Sequence, residues 1–160
     1  MAEEQQQNQP VFTIDKIDVK DLSVEVPNAP QVFLERETPR VDVQLSTQAK
    51  SVNEGFYEVT LSVTTTAVHN EKTVFLVEAH QSGIFQIRNL PKESLDLVLS
   101  ITCPNILFPY ARETVSDSIS RCGFPPFLLA PVNFEALYQQ RLQQQQQGEQ
   151  AQPATPPVTH

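Results

Sequence analysis

Two side chains in the sequence could form a catalytic pair. Cys103 supplies a thiol and His80 an imidazole, and an imidazole can activate a thiol as a nucleophile. A cysteine beside a helix break also packs well as a small apolar side chain, which is the simpler interpretation of Cys103. An enzyme that uses this pair is therefore an alternative hypothesis.

Motifs for cofactors are absent from the sequence. No GxxxxGK[ST] phosphate-binding loop occurs, and the chain has only 4 glycines from which to build one. The histidines, His69, His80 and His160, do not have zinc-ligand spacing with the cysteines, Cys103 and Cys122. We therefore expect a protein that uses no nucleotide, metal or other cofactor.

The charge of the chain limits its partners. Its 160 residues include 19 acidic and 11 basic side chains, for a formal net charge of −8. A surface of this sign repels nucleic-acid phosphates and anionic lipid headgroups, so we expect neither nucleic-acid binding nor direct membrane insertion. A basic protein partner fits better, although an excess of charge also serves solubility alone.

The ends of the chain indicate a cytoplasmic protein of one domain. Residues 1–10 lack the basic and apolar regions of a signal peptide, and no apolar run reaches the roughly 18 residues of a membrane helix. Two distant cysteines make no disulfide framework. We expect disordered tails at 1–10 and at the Gln/Pro-rich 146–160, on either side of a single domain at 11–145.

The first half of the domain predicts the strands of an antiparallel sheet. Alternating apolar and polar residues mark strands over Val41–Ser46 and Tyr57–Thr65, and Asn53-Glu54-Gly55 predicts the turn that joins them as a hairpin. A first strand lies between Phe12 and Glu25, with a register break near Asp15–Lys16.

A fourth strand, at about 73–87, is apolar on both faces. Strands of this kind are usually buried on both faces, and in a small single-sheet protein the second cover is most simply another subunit. A helix that covers that side is the alternative. The residues assigned to a subunit interface on this strand are Phe75, Val77 and Ala79.

The second half predicts helices. A short helix runs from Ser94 to Ile101 and is interrupted at Cys103-Pro104-Asn105. A longer helix follows from the candidate N-cap Asn105 to Cys122, with Gly123 as its candidate C-cap, and a last helix begins near Asn133. Strands followed by helices indicate an α+β fold.

Two long ungapped segments closely resemble the signature of the SecB chaperone family. They are Cys103–Glu113, CPNILFPYARE, and Leu129–Tyr138, LAPVNFEALY. Two weaker matches, Val26–Phe33 and Ser82–Phe85, occur in the order of the family. The resemblance covers about residues 11–145, apart from the segment Arg88–Ser100.

The resemblance implies a four-stranded antiparallel sheet with helices packed on one face, assembled as a homotetramer that is a dimer of dimers. It also implies an ATP-independent chaperone that binds unfolded secretory preproteins, keeps them translocation-competent and delivers them to the SecA motor ATPase for export. The alternatives are the cysteine/histidine enzyme above and a SecB-like chaperone dedicated to one client, such as an antitoxin.

The resemblance assigns three surfaces. A flat acidic surface of the sheet would bind SecA through Asp21, Glu25, Leu76 and Glu78. A groove would bind clients through Val41, Val43, Leu45, Phe124, Phe127, Leu128 and Leu142, although Val41, Val43 and Leu45 could equally be core residues. The long helix would contribute Tyr110, Thr114 and Ser118 to the contact between dimers.

Overall fold

A computed structural model describes residues 7–150 and has its strands before its helices. This order confirms the α+β class. The strands are β1 (Val11–Glu25), β2 (Arg40–Asn53), β3 (Phe56–His69) and β4 (Lys72–Arg88). The helices are α1 (Lys92–Leu97), α2 (Cys103–Arg121) and α3 (Phe134–Gln150), with a 3₁₀ turn at Gln31–Leu34 and a π-helical segment at Val98–Thr102.

The four strands form one sheet in the order β1-β4-β3-β2, and all neighbours are antiparallel. The predicted hairpin is formed by β2 and β3, and Gly55 in its turn has a φ of 74°. Because β1 pairs with β4, the first two strands of the chain are the two edges of the sheet.

Two β-bulges keep the apolar side chains of β1 on one face. The register against β4 shifts between Ile14 and Lys16, which confirms the predicted break, and shifts again between Val19 and Asp21. Each bulge adds one residue to β1 and so moves the following side chains to the opposite face. After each bulge, the apolar residues of β1 again lie on the same face as the buried residues of β4 with which they pair. The residues of β1 that consequently share the helix-covered face are Phe12, Ile14, Ile17, Val19, Leu22 and Val24.

The core lies between α2 and one face of the central strands β3 and β4. Apolar residues four positions apart form a stripe along α2, and all of them are fully buried. The sheet supplies alternating residues of both central strands, which pair directly in the register. The stripe consists of Cys103, Leu107, Ala111, Val115 and Ile119, and the sheet side includes Val59, Leu61, Val63 and Phe85.

This core also contains the three β4 residues that were predicted to meet another subunit. Phe75, Val77 and Ala79 are only 3%, 0% and 0% exposed within the single chain. They have no surface left for a partner, so their assignment to a subunit interface is wrong. The alternative, a helix over this face of the strand, is confirmed, because α2 supplies the cover.

The helix break predicted at Cys103-Pro104-Asn105 does not occur. The N–H of Cys103 donates to the carbonyl of Val98, an i→i−5 bond of the π-helical segment, and Pro104 sits in the first turn of α2. Proline lacks an N–H, and in a regular α-helix its ring meets the carbonyl four residues earlier. Directly after the π-helical turn, whose bonds run to residue i−5, the helix accommodates it. Asn105 therefore lies inside the helix and is not its N-cap.

The stretch Lys92–Arg121 is consequently helical throughout. By length and composition alone, this continuous helix could cross a membrane. The sequence analysis found no such segment, because it expected two shorter helices separated at Cys103-Pro104-Asn105. In this structure, however, the apolar stripe of α2 packs on the sheet of its own chain.

The end of α2 has the predicted cap, and α3 begins near Asn133 as predicted. Gly123 has a φ of 91°, and the next N–H, that of Phe124, donates to the carbonyl of Ile119 at 3.3 Å, which ends α2 in a Schellman arrangement. The side-chain oxygen of Asn133 accepts the N–H of Ala136 at 3.0 Å and caps α3.

The tails are only partly described. Helix α3 continues to Gln150, past the boundary predicted at residue 145. The side-chain amide of Asn89 donates to the carbonyls of Gln7 and Gln9, which ties residues just before β1 to the end of β4. The disorder predicted for residues 1–6 and 151–160 lies outside the described residues.

The substitution Gly123→Ala should lower the free energy of unfolding by about 1–2 kcal/mol, because an L side chain is disfavoured at positive φ. Its Cβ would also lie 3.1 Å from Cε1 of Phe33. The matched control is Gly148→Ala in α3, where an added Cβ meets no atom within 4 Å. We expect that control to be neutral or stabilising by up to about 1 kcal/mol in urea titrations. Equal stability of the two variants would contradict the assignment of Gly123 as a cap.

Candidate polypeptide-binding site

The proposed nucleophile and base lie on opposite sides of the sheet. Cys103 is buried beneath the helix layer, and burial raises the pKa of its thiol to about 12, so almost none of it is thiolate near neutral pH. His80 alternates with the buried Ala79 and therefore points to the other face, where it contacts Ser62 and Glu78. The sheet separates the two groups, which contradicts the Cys103–His80 pair.

The same residues do not assemble a metal site. Within the part of the chain that the structure describes, no three His, Cys, Asp or Glu side chains come together as a metal-binding group.

Two depressions open next to edge strand β2. One, of about 250 Å³, lies between β2 and α3, and the other, of about 330 Å³, lies at the end of the sheet where β2 begins. The lining of the first includes Leu45, Thr47, Phe134, Leu137, Tyr138 and Arg141. The lining of the second includes apolar Val32, Pro39, Val74 and Phe124 and the polar Glu35, Arg36, Glu37 and His69.

An apolar strip on β2 joins the two depressions. Val41 pairs with Ala67 and Leu45 with Val63, so alternate β2 residues lie on the helix side of the sheet. Val43 between them is 36% exposed, because α2 does not reach this edge. From Pro39 to Thr47 the strand rises by about 27 Å, enough to lie along roughly eight residues of an extended peptide.

The other predicted groove residues are distributed unevenly. Phe124 lines the second depression, where its ring stacks on Phe33 at 5.2 Å between centroids. Leu128 is 69% exposed, whereas Phe127 packs partly against the core. Leu142 is half-buried on α3 and lines neither depression.

Several residues that line this groove were not predicted. On α3 they include Phe134, whose ring contacts that of Phe108 edge-on at 5.9 Å between centroids, and Tyr138, whose hydroxyl donates to Asp96 at 3.2 Å. The sequence showed that these residues share one side of α3, but it did not show that this side faces β2. The exposed Phe33 and Leu34 follow the Pro30 that precedes the 3₁₀ turn.

The four predicted SecA-binding residues share the helix-free face of the sheet. Glu25 pairs with Leu76, and Glu78 lies one pair further along β4, opposite Ser23. Asp21 is opposite His80 in the next row of the same face. The structure therefore brings three carboxylates and one leucine together on a flat surface without a helix above it.

Basic side chains lie further along that face. Lys20 and Lys50 bind Glu58 at 2.7 and 3.5 Å. The hydrogen bond from Lys20 lowers the pKa of the Glu58 carboxyl, so this acid remains ionised and paired. Lys20 and Lys50 thus pair with Glu58 and not with the Glu25 carboxylate at the other end of this face.

The predicted inter-dimer residues of α2 differ in their accessibility. Tyr110 is exposed and remains available to a partner. The Thr114 hydroxyl donates to the side chain of Gln81 at 3.0 Å. Ser118 is only 4% exposed and donates to the carbonyl of Thr114, so its assignment to an interface is wrong.

A stripe on edge strand β1 is an exposed apolar surface that the sequence analysis missed. Five of its helix-side residues are between 39% and 48% exposed, because α2 does not cover this edge either. Alternation in the sequence indicated a buried face, but it does not reveal whether the cover comes from the same chain. The residues of this β1 stripe are Phe12, Ile14, Val19, Leu22 and Val24.

An open apolar groove and an uncovered edge strand define a protein of the chaperone class, one that binds other polypeptides. The family model of SecB, described as a preprotein translocase subunit, matches residues 5–145. The chain therefore belongs to the SecB family and is a protein-export chaperone, a family whose members bind unfolded client proteins.

Individual relatives agree with this assignment. The protein-export protein SecB of Chromobacterium violaceum is 63% identical over 146 residues, which are 91% of this chain and 97% of that protein. That of Nitrosospira multiformis is 56% identical over 161 residues and covers 100% of both. These relatives favour neither the enzyme nor the single-client alternative.

One solved structure is similar in fold. A SecB-like chaperone of Mycobacterium tuberculosis, in complex with a ChAD peptide from an antitoxin, has a TM-score of 0.64 and 20% identity. The match covers 76% of this chain and 90% of that one, and it confirms the SecB-like architecture.

Proposed function

We propose that this chain is a cytoplasmic, ATP-independent holdase that keeps unfolded secretory preproteins translocation-competent and delivers them to the SecA motor ATPase. It acts as a homotetramer built as a dimer of dimers. The observation that carries the proposal is the apolar strip of Val41, Val43 and Leu45, which joins two depressions along an open edge strand.

The strip suits clients of many sequences. Hydrophobic contact has no directional requirement, so different apolar side chains can occupy the same depressions. Strand β2 is an edge of the sheet, and its outer backbone groups can hydrogen-bond to an extended client. Backbone bonding supplies affinity that does not depend on client sequence, and the depressions add a preference for apolar residues.

Weak individual grooves suit a chaperone that must release its client. Ordering an unfolded segment costs entropy, which limits the affinity of each groove. Several grooves on one tetramer can bind one long client, because the first contact raises the effective concentration of the next. Binding only the unfolded form opposes folding by mass action, without nucleotide hydrolysis.

The assembly is supported by surfaces that a single chain leaves open. The β1 stripe is contiguous, apolar and located on a strand edge, a combination that monomers generally avoid. A second copy related by a two-fold axis would present the same stripe and cover both. Tyr110, exposed on α2, is available for a separate contact between dimers.

The acidic face supports docking on a basic segment of SecA. Asp21, Glu25 and Glu78 lie together around Leu76 on the helix-free side of the sheet, away from the β2 strip on the other side. Opposite charges accelerate encounter, and the separation allows a loaded chaperone to dock without releasing its client. The cytoplasmic location is consistent with two free cysteines.

The substitution Val43→Thr should weaken binding of an unfolded preprotein by about threefold to tenfold, because it places a hydroxyl where an apolar contact forms but keeps the shape and strand preference of valine. The matched control is Val52→Thr, a 47% exposed valine at the far end of the same strand. Affinity would be measured by fluorescence anisotropy of a labelled, denatured preprotein on dilution. Equal affinities of the two variants would contradict binding at the strip.

Charge reversal by Glu78→Lys should weaken SecA binding by about tenfold or more at low salt and by less at high salt, because screening reduces exposed charge interactions. Preprotein binding should be unchanged. The control is Glu54→Lys, which makes the same charge change in the β2–β3 turn. Titration calorimetry with SecA would detect the difference. Equal weakening by both variants, or a parallel loss of preprotein binding, would show that the acidic face is not a separate docking site.

A further inference from the structure

A hydrogen-bonded chain of three side chains lies at the Asp21 end of the acidic face. Nδ1 of His80 lies 2.7 Å from Oγ of Ser62, and its Nε2 lies 3.0 Å from Oε1 of Glu78. The family resemblance assigns no role to His80 or Ser62. Their contact depends on the register of β3 and β4, in which the two residues are directly opposite each other.

The contacts determine how the neutral imidazole is protonated. A carboxylate only accepts hydrogen bonds, so Nε2 carries the proton and donates to Glu78, and the Ser62 hydroxyl donates to Nδ1. In this state the imidazole holds Glu78 in one position without cancelling its charge. His80 is thus a positioning residue for one of the carboxylates of the docking face.

The charged groups around His80 are predominantly acidic. Glu78 is on its own strand, and Asp21 of β1 is directly opposite it. Asp18 lies further along β1, and Glu58 of β3 lies on the same face but is paired with lysines. A proton on His80 therefore places a positive charge between Glu78 and Asp21, where a basic partner would otherwise bind.

We propose that His80 positions Glu78 for a polybasic protein segment and weakens docking on this face as the pH falls. The inference rests on the proposed docking function and adds its regulation. Protonation makes both ring nitrogens donors, the Ser62 hydroxyl turns to accept, and the imidazolium neutralises Glu78 from within. By linkage, a bound cationic segment displaces the proton from His80.

The test uses the full chain and an acetylated, amidated peptide of Lys, Arg and Gly, which has no group that titrates between pH 5.5 and 8. Titration calorimetry at constant ionic strength should give affinity that is roughly fivefold weaker at pH 5.5 than at pH 8, the effect of one unit charge at contact distance in a water-like medium. Near pH 6, in buffers of different ionisation enthalpy, binding should release protons.

Two matched variants isolate the residue. His80→Gln keeps an amide that can donate to Glu78 but does not titrate, so its affinity should be independent of pH and its binding should release no protons. His160→Gln removes a histidine that belongs to none of the assigned surfaces and should retain the wild-type profile. Both variants keep His69.

The outcomes separate the two proposals. A pH profile that is flat in the wild type, or unchanged in His80→Gln, would overturn the role of His80 and leave docking intact. No binding of the peptide at pH 8 would overturn the docking function, and the inference with it. Loss of the pH dependence in His80→Gln alone would establish the inference.

Discussion

Helix α2 can cover only part of the sheet on which it packs. An α-helix with its side chains is about 10–12 Å wide, and neighbouring strands are about 4.8 Å apart, so one helix covers roughly two strands. Here those strands are β3 and β4, whose helix-side residues are buried throughout most of their length. The edge strands β1 and β2 keep the same apolar alternation without a complete cover.

The two uncovered strands lead to different surfaces. Beside β2, helix α3 and the 3₁₀ turn leave a depression at either end of the Val41–Leu45 strip, which suits a transient, extended ligand. Beside β1 the exposed stripe is continuous, which suits a permanent partner of the same shape. The reverse side of the sheet carries mostly polar and charged residues and can dock a basic partner by charge. The incomplete helix layer therefore accounts for the proposed client binding and assembly, and the helix-free face accounts for the proposed transfer.

The sequence was most informative where local chemistry decides the outcome. Alternation in Val41–Leu45, the candidate C-cap Gly123 and the helix start near Asn133 predicted real elements, because each depends on only a few neighbouring residues. The break at Pro104 was wrong because a π-helical turn accommodates the proline, which local propensity does not reveal.

The candidate site could be predicted only in part. The resemblance named Glu78 and Val43 as candidates, but burial within one chain depends on which strands α2 covers. For that reason Phe75 and Ser118 were assigned to interfaces although both are buried in the core. The contact of His80 with Ser62 requires the strand register, because the two residues are distant in sequence.

Refolding of a denatured preprotein, diluted into buffer with a stoichiometric or larger amount of this protein and no nucleotide, tests the central claim most directly. If the apolar surface left open beside β2 captures unfolded chains, the refolding rate should fall by about tenfold when the concentration of free protein is about ten times its Kd for the preprotein. A refolding rate that is unchanged at that concentration would contradict the account.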